Sequence, residues 1–363
     1  MYPNNIKILH LELTNRCQAA CPMCARNHNG GADREHLQLT EVTLENFKQW
    51  FPVEFLSSLN HFYACGNYGD PIIAKDCLEI FEYARSVNPT MTLGLNTNGS
   101  AKSKDWWTRL AAAIGSNGTV TFAVDGFKGQ HELYRRGTHF DLVIENAKTF
   151  INAGGRAIVD SLVFAHNEET VDDLEKFLLG IGVENVNFKS TKRFYDQEEF
   201  AVEDKDGNFD YNLVAAKTPR WKQEIRINVD SLRSVEGMKK FTQNVIIEPE
   251  CAIKSQVYVD CHGNMLPCCW IGSDFQEPIT EEDGTAFTFA KNSMYRNSKS
   301  VLNDITVPNL KQKNIAEVIA EKALWADLHK KWTSDDKPIE CVKSCSTRLY
   351  NTLYTHTVKY DPK

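Results

Sequence analysis

Short apolar runs and amphipathic stretches alternate through the first half of the chain. Ile6 to Leu13 alternates apolar and polar residues and predicts a buried strand. A polar, glycine-containing connector through Gly30-Gly31 follows, then a helix from about Thr40 that shows Val42, Leu44, Phe47 and Trp50 on one side. The same alternation predicts strands at His61–Cys65, Met91–Asn96, Thr119–Val124, Ala157–Ala165 and Asn185–Ser190. Between them lie helical patterns carried by Leu78, Ile80, Phe81 and Ala84, by Trp106, Trp107, Leu110 and Ile114, by Leu142 to Ile151, and by Leu174, Phe177 and Leu178. Strands alternating with helices require parallel pairing through right-handed crossovers. Six units are too few for a closed eight-stranded barrel, so the expected fold class is α/β, an open partial (β/α)6 barrel of TIM type.

Beyond Thr191 the alternation fades. Tyr195 to Tyr211 is rich in Asp, Glu and Gly and reads as a linker or irregular insertion. Ser255 to Trp270 then reads as a hairpin turning at His262-Gly-Asn264, and Ile315 to Trp332 as one helix. The expected organisation is a barrel core over 1–215, a bridging region over 216–250 and a small α+β cysteine-rich domain over 251–363. Within the core, each polar or glycine-bearing signature stands just after a strand: Glu12–Cys24, Gly66–Pro71, Asn96–Gly99 and Asp125-Gly126. In a β/α barrel these loops share the C-terminal mouth, where active sites are built.

Composition narrows the function classes. The 363 residues are 42% hydrophobic and 25% charged, ordinary for a globular protein. No apolar stretch approaches bilayer length, and Met1-Tyr-Pro-Asn-Asn has no signal-peptide character, so a cytoplasmic protein without a membrane partner is expected. A net charge of −7 disfavours a bulk electrostatic grip on nucleic acid, although Lys189 to Arg193 forms a local basic patch. Eleven cysteines without a secretion signal point to metal or cluster ligation rather than disulfides. Three lie in Cys17–Cys24, and six between Cys251 and Cys345. Cys65 and Cys77 read as small buried hydrophobes, and Trp106 and Trp107 as helix-packing residues.

The spacing Cys17-x3-Cys21-x2-Cys24 carries the sharpest chemistry. Three thiolates on one loop suit a cubane iron–sulfur cluster with one iron left open to a small molecule. A three-cysteine zinc site completed by His28 is the alternative on spacing alone.

At these residues the chain resembles the radical SAM superfamily. The resemblance implies a [4Fe–4S] cluster on Cys17, Cys21 and Cys24, with S-adenosylmethionine on its open iron. It further implies reductive cleavage to a 5′-deoxyadenosyl radical that abstracts a substrate hydrogen, with electrons from a reductant such as flavodoxin or ferredoxin. Met23 stands where the family packs an apolar residue against adenine. Gly66-Asn-Tyr68-Gly69-Asp70-Pro71 resembles the family's Gly-Gly-Glu-Pro element, which receives the methionyl ammonium. The departures are Tyr68 for the first glycine and Asp70 for the glutamate. Asn96 and Thr97-Asn98-Gly99 match a frequent end of the third strand. Phe122-Ala-Val-Asp125-Gly126 resembles a Ser-x-Asp-Gly element with Ala123 replacing the serine. Arg136-Gly137 matches the arginine expected to pair with the cofactor carboxylate, a task that suits a guanidinium fork. Asn167, ending strand five, is a candidate ribose contact.

The C-terminal cysteines resemble the twitch/SPASM extension of the same superfamily. By that resemblance Cys251, Cys268, Cys341 and Cys345 hold one auxiliary [4Fe–4S] cluster, with Cys261 and Cys269 as alternatives. The implied function is an oxidoreductase-type radical SAM enzyme that oxidises or crosslinks a peptide or protein. Oxidation or rearrangement of a small metabolite or nucleotide is a second expectation. A non-enzymatic zinc-binding interaction protein is the third.

Overall fold

The structure, a computed structural model, describes residues 5–194, 197–222, 245–276, 305–335 and 337–346. These residues form two compact units. One comprises 11–48 and 59–222, and the other comprises 5–10, 49–58 and the described residues from 245 onward. Most of the expected bridging region 216–250 lies outside the described residues, as do 277–304 and the tail beyond 346.

The larger unit is a parallel α/β layer. Strand β1 (Ile8–Leu11) ends in it, followed by β2 (His61–Ala64), β3 (Thr92–Thr97), β4 (Thr119–Ala123), β5 (Ala157–Val163) and β6 (Asn185–Ser190). Strands β2 to β6 pair in chain order, all parallel. The end of β1 lies against β2, where the Cys65 N–H donates to the Leu11 carbonyl at 3.3 Å. Helix α1 (Leu44–Trp50) begins in this unit, and α2 (Val53–Ser58) belongs to the other. The crossovers carry α3 (Cys77–Val87), α4 (Lys104–Ile114), α5 (His131–Tyr134), α6 (Phe140–Asn152) and α7 (Val171–Gly180). The expected barrel strands and their parallel order are therefore present, with β5 ending two residues early.

Alternation along the strands sorts the two faces. Phe62, Leu93, Leu95, Val120, Phe122, Val159, Val186 and Phe188 are buried. Their face takes the helices: Phe62 stacks on Phe81 of α3, and Phe122 packs against Trp107 of α4 and Phe150 of α6. Burial of such rings supplies roughly 1.5–3 kcal/mol each. Cys77 is buried as expected, but Cys65 is only half-buried.

Residues 199–214 form a hairpin, β7 (Glu199–Glu203) and β8 (Phe209–Val214), rather than an irregular linker. Asp204 builds its turn, accepting the N–H groups of Asp206 and Asn208 at 2.9 Å each. The acidic, glycine-containing composition belongs to that turn, and Val202 and Leu213 supply a fully buried face.

In the smaller unit, α8 (Glu250–Ile253) precedes the expected hairpin, β9 (Gln256–Val259) and β10 (Met265–Leu266), which pair antiparallel. Asp260 closes its turn by accepting from the His262 and Asn264 N–H groups at 2.9 and 2.8 Å. Helix α9 (Cys269–Gln276) follows. The single helix expected over Ile315–Trp332 is two, α10 (Ile315–Glu321) and α11 (Ala323–Thr333), broken where Lys322 takes φ 56°. The Asn314–Glu317 capping box starts the first. Helix α12 (Ile339–Cys345) ends the described chain. Among the described residues no helix is long and apolar enough to cross a membrane.

Candidate cysteine-centred active site

The loop after β1 is held by its own polar side chains. Asn15 and Thr14 fasten its start to the Gln38 and Thr40 carbonyls, and Arg26 ties it back through the Asn15 carbonyl and Asp33. The Asn27 amide donates to the Cys21 carbonyl at 3.2 Å, and the Cys24 N–H donates to the same oxygen at 3.0 Å. One turn thus presents all three thiols.

Around them lies an apolar cluster. Ala19, Cys21, Tyr134, Phe164, Phe194, Val202 and Leu213 pack as one cluster, with Cys17, Met23, Cys24 and Leu162 half-buried against it. Burial pushes the Cys21 thiol up to about 11, against the lowering effect of the Arg135 guanidinium. Burial, with the nearby charge of Asp70 second, also pushes the Cys17 thiol up. Thiols so held bind a soft metal centre with release of protons, because the thiolate is the ligand. His28 does not join them. It is half-exposed and its Nε2 lies 3.1 Å from Glu35. Among the described residues no three Cys, His, Asp or Glu side chains close on a single bare ion, as a tetrahedral zinc site would require.

The loop after β2 docks on this turn. Gly69 lies so close to the Thr14 carbonyl that a Cβ there would stand 1.8 Å from it. The wholly buried Glu12 accepts the Tyr68 N–H at 2.9 Å and the Gly69 N–H at 3.4 Å. Asp70 is buried too, and burial raises its pKa above the usual carboxylate value. Its oxygens accept from Ile72 N–H (3.2 Å), Thr97 Oγ1 (2.8 Å) and Asn98 N–H (2.6 Å). Asp70 therefore clamps the loops after β2 and β3 together.

Asn98 continues the chain of contacts. Its Oδ1 accepts from Gln18 Nε2 at 2.7 Å, and its Nδ2 stands 3.6 Å from Cys17 Sγ. Asn96 is exposed on the helix-free face of β3. Asp125, after β4, is wholly buried and accepts the Leu162 N–H at 2.6 Å and Arg135 Nε at 2.6 Å. Asn167 spends its amide on the Asp125 and Leu162 carbonyls and accepts the Phe164 N–H, which locks the ends of β4 and β5 together.

The guanidinium beside the cysteines belongs to Arg135, whose Nη1 lies 3.9 Å from Cys21 Sγ. Arg136 instead bonds the Glu203 carbonyl at 2.6 Å and Asp210 at 2.9 Å, while its own carbonyl accepts the Ala20 N–H. A second cation, Arg193, donates to the Met23 carbonyl at 3.0 Å and lies 3.2 Å from the Tyr134 hydroxyl. Glu12, Gln18, Tyr134, Arg135 and Arg193 were thus not among the residues expected from sequence. The available signals were a carboxylate ending an apolar strand, an adjacent Arg-Arg pair, and the basic patch that includes Arg193.

In the smaller unit the C-terminal thiols are held in buried or half-buried positions. Burial pushes the Cys268 thiol well up, and the nearby Cys341, Cys251 and Cys269 add to it. Cys341 is raised by burial and then by Cys251 and Cys345, and burial takes Cys251 up to about 12. The raised values of Cys268, Cys341 and Cys251 thus have burial as their first cause and neighbouring cysteines as a further one. Cys261 is buried at the end of β9.

Residues 11–179 match the Radical SAM superfamily. No curated protein matches the chain in sequence. Among solved structures, Streptococcus suis SuiB bound to precursor peptide SuiA is similar over 89% of this chain and 66% of its own, at 12% identity and TM-score 0.52. The chain thus spans just under two thirds of SuiB. Hexahistidine-tagged anSMEcpe with bound AdoMet is similar over 73% of this chain and 72% of its own, at 16% identity and TM-score 0.47. BtrN in complex with AdoMet and 2-DOIA covers 94% and 92%, at 14% identity and TM-score 0.39. The mostly parallel fold is that of radical SAM proteins.

Proposed function

We propose that this chain is a radical SAM enzyme whose reaction centre is the Cys17–Cys21–Cys24 turn. The observation that carries the reading is the gathering of three thiols, one buried and two half-buried, against one apolar cluster with an arginine beside Cys21. The donor set fits a cluster: three soft sulfurs, a cation beside one of them and walls that exclude water. Cys17, Cys21 and Cys24 would hold a [4Fe–4S] cluster, and Arg135 is the cation offered to the carboxylate of S-adenosylmethionine. Once held there, a reduced cluster would supply the electron for reductive cleavage of S-adenosylmethionine.

The chain's own residues orient and shield. Gly69 allows the second loop to reach the turn, and Asp70 sets Asn98 beside Gln18. Asp125 aims Arg135, while the apolar packing of Tyr134, Phe164 and Val202 against the cysteines would keep water from a reactive species. Cys251, Cys268, Cys341 and Cys345 would hold one auxiliary cluster, with net oxidation of the substrate as its consequence. A peptide or protein substrate is the favoured reading. Its support is that the similar SuiB structure contains a precursor peptide. Anaerobic reconstitution with iron and sulfide, followed by reductant and S-adenosylmethionine, should yield 5′-deoxyadenosine. Cys21→Ala should abolish it, and retained product in that variant would sink the reading.

A further inference from the structure

The helix-free face of the parallel sheet is layered in a way the cysteine site does not account for. In a packed barrel the inward positions are filled by branched apolar side chains. On β2 the layer nearest the strand start is ring-filled. His61 and Tyr63 lie 5.1 Å apart between ring centres, and a Cβ on Gly94 would stand 3.0 Å from Tyr63 and 3.3 Å from His61. Above that layer the face turns polar. Asn96 is exposed and pairs in register with Thr121; Asp160 pairs in register with Asn187.

Asp160 stands one pleat beyond the Asn96–Thr121–Ile158 row, with Ala123 as its register partner on β4. It accepts from Asn187 Nδ2 at 3.0 Å and from Lys189 Nζ at 2.6 Å. The side chains of Lys189 and Asp160 keep 42% and 34% of their surface open. Lys189 is the register partner of Leu162, and Leu162 packs against the cysteine cluster. Asp160 stands two residues before Leu162, one pleat or roughly 7 Å below it along the strand. An ion pair therefore lies on the same strand face as Leu162, which packs on the cysteine cluster.

We propose that Asp160, Lys189 and Asn187 grip the substrate, and that the group they grip is a neutral amide such as a peptide unit. The Lys189–Asp160 pair is dipolar and carries no net charge of its own. Lys189 has further N–H groups to offer a carbonyl, and Asp160 has lone pairs left for an amide N–H. A phosphate on Lys189 would meet the Asp160 carboxylate beside it, which disfavours a phosphorylated nucleotide at this position. This inference rests on the cysteine turn being the reaction centre only in calling the ligand a substrate.

The test uses the full-length protein with no cluster or cofactor added. Lys189 is acylated by an amine-reactive ester, and its rate is read by peptide mass spectrometry against exposed Lys176 as internal standard. N-acetylglycinamide, which has no amine to react, should slow Lys189 about twofold at half-saturation and leave Lys176 unchanged. Asp160→Ala should retain the fold, by circular dichroism, and lose that protection. Protection by inorganic phosphate and not by the amide would overturn the proposal in favour of an anion site. Protection by neither would reduce the pair to a surface salt bridge. The 5′-deoxyadenosine assay is independent of both outcomes, so failure of the enzyme reading and failure of this one are told apart.

Discussion

Arg135 Nε donates to Asp125 Oδ2 at 2.6 Å, and the carboxylate it meets has no exposed surface. Breaking a buried pair by removing one partner leaves an uncompensated charge and costs about 3–5 kcal/mol, whereas removing both costs less. Arg135→Leu should therefore destabilise the protein by about 3 kcal/mol in urea unfolding. Adding Asp125→Asn to that variant should recover part of the loss. A single variant as stable as the parent would show that Asp125 finds another partner.

The same geometry separates two adjacent arginines. Arg135 stands beside Cys21, while Arg136 is spent on Asp210 and the Glu203 carbonyl. Loss of a charge-assisted hydrogen bond costs about 1.5–3 kcal/mol, or about tenfold to hundredfold in affinity. Arg135→Lys should weaken S-adenosylmethionine binding to the reconstituted protein on that scale. Arg136→Lys should leave it within about twofold and loosen the β7–β8 hairpin instead. Equal losses in the two variants would remove the distinction.

The strands, their parallel order and the clustering of polar loops at strand ends were legible because burial on one face and backbone punctuation both mark the local sequence. The choice between Arg135 and Arg136 was not. Adjacent residues just past the end of a short helix point in different directions, and only the positions of Asp125 and Asp210 decide which faces the cysteines. The Glu199–Val214 hairpin was hidden for a related reason: its acidic turn dominates the composition, while the burial of Val202 and Leu213 comes from distant partners. Asp70 was legible as a site residue. Its contacts show that it works through Thr97 and Asn98.

Gly69 offers a steric test of how the loops share the site. A methyl group there would meet the Thr14 carbonyl, part of the backbone that leads into the cysteine turn. Overpacking against backbone typically costs about 1–3 kcal/mol. Gly69→Ala should lower the melting temperature and the iron retained after reconstitution. Gly180→Ala, with nothing within 4 Å of its added carbon, should be neutral or slightly stabilising.

The C-terminal cysteines make a separate prediction about metal content. Cys268 and Cys341 each feel the charge of the other thiols in their unit. Cys268→Ala or Cys345→Ala should lower bound iron by about one cluster's worth while leaving cofactor cleavage at the first cluster measurable. Cys269→Ala should change iron content less than either. If Cys269 proves the more damaging, it replaces one of the four proposed ligands.

His131 sets the pH response of the larger unit. Its Nδ1 accepts the Asp125 N–H at 3.2 Å and its Nε2 lies 2.9 Å from Thr138 Oγ1, whose hydroxyl reaches the Arg135 carbonyl. The imidazole is wholly buried, and burial, only partly offset by the Asp125 charge, pulls it down to about 4 from the usual 6.5. The folded protein therefore keeps this ring neutral where the unfolded chain protonates it. Stability from this group is complete above the unfolded value and is lost as pH falls from about 6.5 towards 4. At 1.36 kcal/mol per unit the loss approaches about 3 kcal/mol. His131→Gln should be less stable than the parent at neutral pH, yet lose less on going from pH 7 to pH 4.5 in urea unfolding. Parallel curves for the two proteins would show that the imidazole titrates alike in both states.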